Sequence, residues 1–329
     1  MNPRAVRRSP RPRSFTGRSF GILTLALAGC AGHTRPAALP IPRTPAAARE
    51  ALLAAGLRAA EVPAPHGPLH YFEGGRGDRT LVLIHGSGRQ AGDWQAVVRG
   101  LGRHATLLVP DLPGHGESGP ATGALPVGDL VQGLEALLDA RRPGARVTLV
   151  GNSLGGWVAL LYASRHPERV ERVIGISSSG IYAPLKVPLM PKTRGEAALL
   201  AAAIRGPHAP QATEAELDAL VAAVAAGPMP RLVAGLRAED FLETKVATLA
   251  TPVDLLWGED DGVLPPDYGR RLASLLPRAR FQLLPACGHM PQVFCPDTLR
   301  DALQTVLAAA PPAAAPKAPA STPATGAVQ

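Results

Sequence analysis

The chain has 329 residues, 46% hydrophobic and 4% aromatic, with a formal net charge of +8. When both ends are discounted, roughly 250 residues remain, which is enough for one domain with a sizeable core. The excess positive charge lies in the first 29 residues. Composition therefore excludes a basic nucleic-acid-binding domain.

Residues 1–29 have the order of an export signal. They hold six arginines and no acidic residue, and the apolar run Phe20 to Ala28 follows. That run is too short to span a bilayer as a mature helix, and basic residues followed by an apolar run are typical of a secretory signal. The arginines are Arg4, Arg7, Arg8, Arg11, Arg13 and Arg18. Their removal leaves 28 basic and 26 acidic residues, a net charge of +2, so no nucleic-acid partner is predicted.

The signal ends in Leu27-Ala28-Gly29-Cys30, which resembles the bacterial lipobox. The resemblance implies cleavage before Cys30 and lipidation of this residue; an ordinary signal peptide with a chance cysteine is the alternative. Residues 30–60 are predicted to be a lipidated tether and linker, residues 61–309 one α/β domain, and residues 310–329 an Ala/Pro-rich tail without a core. The expected location is the bacterial cell envelope, with a lipid anchor on a membrane and the domain facing the periplasm or the exterior.

The first strong strand signal is the apolar run Leu81 to Ile84, which breaks into His85-Gly86-Ser87-Gly88. Glycines let a backbone approach a ligand closely, so the backbone N–H of Ser87 is a candidate oxyanion donor. We interpret His85 as a hydrogen-bonded residue that orients this loop rather than as a base.

The strand signal of Val147 to Val150 breaks into Gly151-Asn152-Ser153-Leu154-Gly155-Gly156, and helical composition follows. A serine between two such glycines is typical of the G-x-S-x-G nucleophile elbow, in which a strained strand-to-helix turn exposes the hydroxyl. The backbone N–H of Leu154 is the second candidate oxyanion donor. A plain turn is the alternative, and the elbow requires an acid and then a histidine downstream.

About 70 residues separate the predicted strand Val173 to Ile176 from the next strand, which is too long for a plain connection. We predict a helical cap inserted over residues 180–250. Thr213-Glu214-Ala215-Glu216 predicts a capping box at the start of one helix. The apolar stripe behind it is interpreted as packing against the core: Leu217, Leu220, Val221 and Val224.

The two required partners follow predicted strands. Val253 to Trp257 runs into an acidic loop, and Phe281 to Leu284 runs into a loop that carries His289, the candidate base. Ligands gather at such strand ends in open α/β sheets. The acidic loop offers three candidates, Glu259, Asp260 and Asp261. Spacing alone leaves the choice among them open.

Two cysteines, Cys287 and Cys295, flank His289. We expect them to be unpaired core residues, with a disulfide as the alternative in an exported chain. No His/Cys cluster has metal-ligand spacing and no glycine-rich loop has a phosphate-binding context, so no cofactor is predicted.

Strands alternate with helical stretches, which predicts a mostly parallel sheet of α/β class. Five motifs follow one another along the chain: HGSG at 85–88, DLPGHGESG at 111–119, GNSLGG at 151–156, WGEDDGVLP at 257–265 and CGHMP at 287–291. On these motifs, the chain from about Val62 to Ala309 resembles the α/β-hydrolase superfamily, which implies that fold, with helices on both faces of the sheet and an inserted cap. The family's usual acid, three residues past the glycine that ends the penultimate strand, corresponds to Asp261.

The resemblance implies a serine hydrolase with Ser153 as nucleophile, His289 as base and Asp261 as acid. Related dehalogenases and epoxide hydrolases carry aspartate at the position of Ser153. Three motifs are similar to carbon–carbon bond hydrolases, but Arg89-Gln90 and Met290 depart from that subfamily. We therefore predict cleavage of a small ester-like substrate through an acyl-enzyme. The alternatives are a carbon–carbon hydrolase and, in another class, a non-catalytic binding protein of the envelope.

Overall fold

The structure is a computed structural model that describes residues 44–312. The predicted signal peptide, Cys30 and the tail beyond Pro312 lie outside these residues, so the predictions made for them stay predictions.

The described residues form one eight-stranded sheet in the order β1-β2-β4-β3-β5-β6-β7-β8. The strands are β1 Arg58–Val62, β2 Leu69–Gly75, β3 Thr80–Ile84, β4 Thr106–Pro110, β5 Val147–Asn152, β6 Val170–Ile176, β7 Val253–Gly258 and β8 Ala279–Leu284. The pairs β1–β2 and β2–β4 are antiparallel, and the five other pairs are parallel. The predicted mostly parallel sheet is confirmed.

Helices cover both faces of this sheet, as predicted. They are α1 Pro45–Ala54, α2 Gln95–Leu101, α3 Val127–Arg141, α4 Leu154–Arg165, α5 Arg194–Arg205, α6 Glu214–Ala226, α7 Met229–Gly235, α8 Pro266–Ser274, α9 Pro291–Phe294 and α10 Pro296–Ala308. Alternate residues of a strand point to opposite faces, so Val82 and Ile84 join an apolar cluster with α3 and α4. Leu81 and Leu83 join a second cluster with α1, α2 and α10.

The domain begins earlier than predicted. Helix α1 and strand β1 lie within residues 45–62, most of which the sequence assigns to a linker. Thr44 caps α1 by accepting from the backbone N–H of Ala47, and Leu52 is fully buried. Arg49 binds Glu117 through two hydrogen bonds of 3.0 and 2.6 Å. The Ala/Pro-rich composition of this segment gives no strong apolar pattern from which the helix could be predicted. Leu52 is the one large side chain of α1 that is buried in the core.

Three helices, α5 to α7, lie between β6 and β7, where the sequence predicts a helical cap. The predicted capping box is present, since Thr213 and Glu216 exchange side-chain and backbone hydrogen bonds at the start of α6. Within the described residues, the helical stretch Glu214–Gly235 is long and apolar enough to cross a membrane by length and composition alone. In the fold, this stretch consists of α6 and α7, between β6 and β7.

Candidate active site

Ser153 lies in a strained turn between β5 and α4, with φ 52° and ψ −116°. A left-handed φ is uncommon for a residue other than glycine and marks stored backbone strain. A side chain on Gly151 would overlap the backbone of Gly155, and a side chain on Gly155 would overlap the carbonyl of Ile84. The turn thus has the form that G-x-S-x-G predicts, and both glycines are needed for close packing.

The structure brings Asp261 and His289 together. His289 Nδ1 lies 2.8 Å from Asp261 Oδ2, and both side chains are buried. The other carboxylate oxygen, Oδ1, accepts from the backbone N–H groups of Val263 and Leu264, each over 2.9 Å. The carboxylate is therefore fixed in orientation. A proton on Nδ1 of His289 leaves Nε2 free to accept another proton, which is the arrangement of a general base.

The neighbouring acids have different surroundings. Asp260 is half-buried, with its carboxylate 3.6 Å from His208 Nε2, and Glu259 is exposed. Of the three acids in this loop, Asp261 is the one hydrogen-bonded to His289.

Two side-chain amides hold the backbone around Ser153 and His289. Asn152 Nδ2 donates to the carbonyls of His289, at 3.0 Å, and of Ile176, at 3.1 Å. Gln292 Nε2 in turn donates to Asn152 Oδ1 over 3.0 Å, and both amides are almost completely buried. The sequence predicts no role for either residue. The position of Asn152 beside the elbow serine is the one signal that it offers.

Ser153 Oγ makes no hydrogen bond to any residue in the described range, including His289. In ligand-free serine hydrolases, the contact between nucleophile and base is often long and tightens when substrate binds. The segments of the two residues are nevertheless joined, because the side chain of Asn152, the residue before Ser153, donates to the backbone carbonyl of His289.

The two predicted oxyanion donors lie on converging segments. Ser87 follows β3, and a Cβ on the preceding Gly86 would lie 3.4 Å from Ser153 Cβ. Leu154 is the first residue of α4. Within residues 44–312, no group accepts a hydrogen bond from the backbone N–H of Ser87 or of Leu154. Two such N–H groups close to a nucleophile can stabilise an oxyanion.

His85 uses both ring nitrogens to hold the loop of Ser87. Its Nε2 accepts from the backbone N–H of Leu112 at 2.9 Å, and its Nδ1 donates to the carbonyl of Gly86 at 2.7 Å. Burial lowers the pKa of His85 to about 4, so the ring is neutral at pH 7. These contacts agree with its interpretation as a loop-orienting residue.

Arg89, where the chain departs from the carbon–carbon hydrolases, is neutralised by a neighbour. Its Nε and Nη2 donate to the two carboxylate oxygens of Asp93 over 2.9 and 2.6 Å. The side chain of Asp93 is fully buried. This two-point pair fixes the guanidinium group and cancels its charge.

The structure corrects the expectation for the cysteines. Cys287 and Cys295 form a disulfide, with their Cα atoms 5.9 Å apart, rather than remaining unpaired. The short helix α9 folds the intervening chain back on itself and so brings the two residues together. The bridge encloses His289 and Gln292.

In the described part of the chain, no group of three His, Cys, Asp or Glu residues could hold a metal ion.

The comparisons with known proteins agree with the fold. Residues 79–296 match the model of the alpha/beta hydrolase fold family, and the chain belongs to this family. It is 32% identical over 246 residues to a pimeloyl-[acyl-carrier protein] methyl ester esterase of Edwardsiella ictaluri, covering 70% of this chain and 93% of that protein. It is 31% identical over 250 residues to a 2-hydroxy-6-oxononadienedioate/2-hydroxy-6-oxononatrienedioate hydrolase of Paraburkholderia phymatum, covering 68% and 85%.

Among solved structures, the chain is similar to a membrane phospholipase A described as a bacterial virulence factor. The identity is 28%, the TM-score is 0.67, and the match covers 80% of this chain and 88% of the other. The carboxylesterase CesB of Bacillus subtilis shares the fold at 19% identity and a TM-score of 0.64, covering 79% and 96%. The protein is therefore an α/β-fold hydrolase with esterase and carbon–carbon hydrolase relatives.

Proposed function

We propose that this protein is a serine hydrolase that cleaves a carboxylic ester through an acyl-enzyme intermediate. Ser153 is the nucleophile, His289 is the general base, and Asp261 orients the imidazole. The observation that carries the proposal is the 2.8 Å hydrogen bond between Asp261 and His289. These two residues follow the adjacent strands β7 and β8, and Ser153 follows β5 of the same sheet.

In the first half of the reaction, His289 Nε2 takes the proton of Ser153 as Oγ attacks the carbonyl carbon of the ester. The carbonyl oxygen becomes an oxyanion and accepts hydrogen bonds from the backbone N–H groups of Ser87 and Leu154. His289 then gives its proton to the leaving alcohol. Water repeats these steps on the acyl-enzyme, which releases the carboxylic acid and restores the serine.

The charges around the site favour an ester over a carbon–carbon substrate. The name of the Paraburkholderia hydrolase specifies a dioate, a substrate with two carboxylates. Such a substrate calls for unpaired cationic groups, and Arg89, on the loop of Ser87, is already bound to Asp93. The cap side of the loop is apolar, since a Cβ on Gly88 would lie 3.4 Å from the side chain of Met229. These surroundings suit a neutral, apolar ester, and the Edwardsiella relative is named an ester hydrolase.

The proposal is tested with a fluorophosphonate probe and a panel of nitrophenyl esters of increasing acyl length, with wild type, Ser153→Ala and His289→Ala. We expect probe labelling and ester turnover in wild type, and neither in Ser153→Ala. A wild-type protein that is folded but neither labelled nor active would favour the non-catalytic alternative. Turnover of a dienol dioate without turnover of esters would favour the carbon–carbon alternative.

We also propose that the protein is exported and anchored to a bacterial membrane by lipid on Cys30. The support is the sequence Leu27-Ala28-Gly29-Cys30 behind a basic and then apolar segment. Dual acylation gives stable membrane binding where a single chain is marginal. In a bacterial host, wild type should incorporate labelled palmitate and partition into detergent, whereas Cys30→Ser should do neither. A secreted wild type with no added mass on Cys30 would contradict the anchor.

A further inference from the structure

The last turn of α5, in the cap, contacts the loops of both Asp261 and His289. The backbone N–H of His289 donates to the carbonyl of Ile204 over 2.8 Å, and the N–H of Gly262 donates to the carbonyl of Ala203 over 3.1 Å. The last four carbonyls of a helix have no partner within the helix. Two of these carbonyls in α5 are therefore satisfied by the catalytic loops.

Glycines set the distance between α5 and these loops. A Cβ on Gly288 would overlap the carbonyl oxygen of Ile204, and a Cβ on Gly262 would lie 2.9 Å from Ala203 Cα. Neither glycine has a left-handed φ, so alanine is compatible with the backbone conformation at both positions. A side chain is excluded at Gly288 and Gly262 because the backbone at both positions packs directly against α5.

The same turn of α5 is attached to other elements through Arg205. Its Nη2 lies 3.3 Å from Glu216 on α6, and its guanidinium group lies over the ring of Phe294 on α9, 5.4 Å from the ring centre. These contacts connect the cap to the segment that follows His289. Cation–π contacts of this kind add modest stability at partly buried sites.

We propose that the last turn of α5 is a positioning element for the catalytic base, so that the seating of the cap determines the geometry of His289 and Asp261. The inference rests on the proposed function, in which His289 is the base. The cap thus has a role in catalysis besides covering the site, because a shift of α5 moves the loops hydrogen-bonded to it. A displacement of about 1 Å at a reacting group can lower the rate roughly 100-fold.

The first test replaces Gly288 and Gly262 by alanine, one at a time. We expect kcat for a nitrophenyl ester to fall roughly 30- to 300-fold, while KM changes less than about threefold, because the substrate pocket is retained and the base is displaced. Gly195→Ala is the control, since Gly195 lies in the first turn of α5 and its Cβ would meet no atom closer than Thr193 Oγ1 at 3.9 Å. Unchanged kcat in both Gly288→Ala and Gly262→Ala would overturn the inference.

A second pair of variants avoids any overlap with the loops. Arg205→Ala releases the last turn of α5 from Glu216 and Phe294, whereas Arg194→Ala removes the ion pairs of the first turn with Asp218 and Glu214. We expect kcat to fall several-fold in Arg205→Ala and to stay unchanged in Arg194→Ala. Equal effects of the two substitutions would indicate a structural role of the cap alone and would overturn the inference.

Proton NMR gives a readout that does not depend on turnover. The proton between His289 Nδ1 and Asp261 Oδ2 should give a low-field resonance in wild type, identified by its absence in His289→Ala. We expect this resonance to shift or broaden in Gly288→Ala and to be unchanged in Gly195→Ala. Failure of the proposed function is distinguishable, because it would appear as absent ester turnover and absent fluorophosphonate labelling in wild type itself.

Discussion

The side-chain amide of Asn152 donates to the backbone carbonyl of His289 over 3.0 Å, so the residue before the proposed nucleophile holds the proposed base. On the other side of His289, its backbone N–H donates to Ile204. Gln292 completes the arrangement by orienting the amide of Asn152. The main chain of His289 is thus fixed at both its N–H and its carbonyl.

Replacing Asn152 by alanine should slow catalysis more than it weakens binding. The carbonyl of His289 loses the amide donor that holds it, whereas the carbonyl of Ile176 still accepts from the backbone N–H of Ser153. We therefore expect kcat to fall roughly 10- to 100-fold with little change in KM. The loss of the buried hydrogen bond to His289 should also lower the free energy of unfolding by about 1–3 kcal/mol. Steady-state kinetics and urea unfolding measure the two effects separately.

Gln292→Met should produce a smaller loss in kcat than Asn152→Ala. In this variant the Asn152 amide can still donate to the carbonyl of His289 and loses only the hydrogen bond from Gln292 that orients it. Gln132→Met is the matched control, since the amide of Gln132 pairs with His66 over 3.0 Å, away from the site. If Asn152→Ala and Gln132→Met have the same kcat, the amides do not position His289.

The identity of the acid can be tested by single substitutions in one loop. Asp261→Asn should reduce kcat by roughly 10³- to 10⁴-fold, because an amide at this position favours the wrong tautomer of His289. Asp260→Asn and Glu259→Gln should remain within about threefold of wild type, as neither acid is bonded to His289. The measurement is kcat/KM on one ester for all three variants. Loss of activity in Asp260→Asn instead would mean that the register taken from the family is wrong by one residue.

The sequence predicts the central parallel strands well because they are short apolar runs that end in glycine or acidic loops. The predicted runs Leu81 to Ile84 and Val253 to Trp257 differ by one residue from the observed β3 and β7. The antiparallel edge was not predicted. Strand β1 has mostly exposed or half-exposed residues, and β2 ends in two glycines, so neither has a strong apolar pattern.

The contacts that hold the site together are long-range, which explains why the sequence did not reveal them. Asn152 is 137 residues from His289 and 140 from Gln292. The contact of Ile204 with His289 joins helix α5 to the loop that follows β8. No local sequence pattern indicates which amide or which helix end contacts the loop of His289. The G-x-S-x-G motif around Ser153, in contrast, lies within five consecutive residues and can be read directly from the sequence.

Acid should destabilise the fold through buried histidines. Burial lowers the pKa of His115 to about 3, against an unfolded value of 6.5, so the unfolded chain binds the additional proton between these values. The stabilising contribution of neutral His115 is complete above pH 6.5 and is lost as the pH falls toward 3. When the pH is lowered from 7 to 5, we expect the contribution of His115 to decrease the free energy of unfolding by about 2 kcal/mol.

The measurement is urea unfolding at pH 7, 6 and 5 for wild type and His115→Asn. The variant should lose less stability over this range, and the difference between the two proteins isolates His115 from other groups. Asp111 is one such group, because burial raises its pKa to about 6 and its contribution has the opposite sign. Parallel curves for wild type and His115→Asn would contradict the prediction.

Removing the disulfide should weaken both stability and catalysis. Cys287 and Cys295 close a loop with a sequence separation of 8, for which loop-closure entropy gives a stabilisation of about 2–3 kcal/mol. Because His289 and Gln292 lie within this loop, we expect the double variant Cys287→Ala/Cys295→Ala to show a several-fold lower kcat as well. Urea unfolding and ester turnover, measured in a Cys30→Ser background, test both effects. Reductant should shift the parent protein toward the double variant and leave the double variant itself unchanged. Two free thiols per denatured molecule before any reductant is added would show that the bridge does not form.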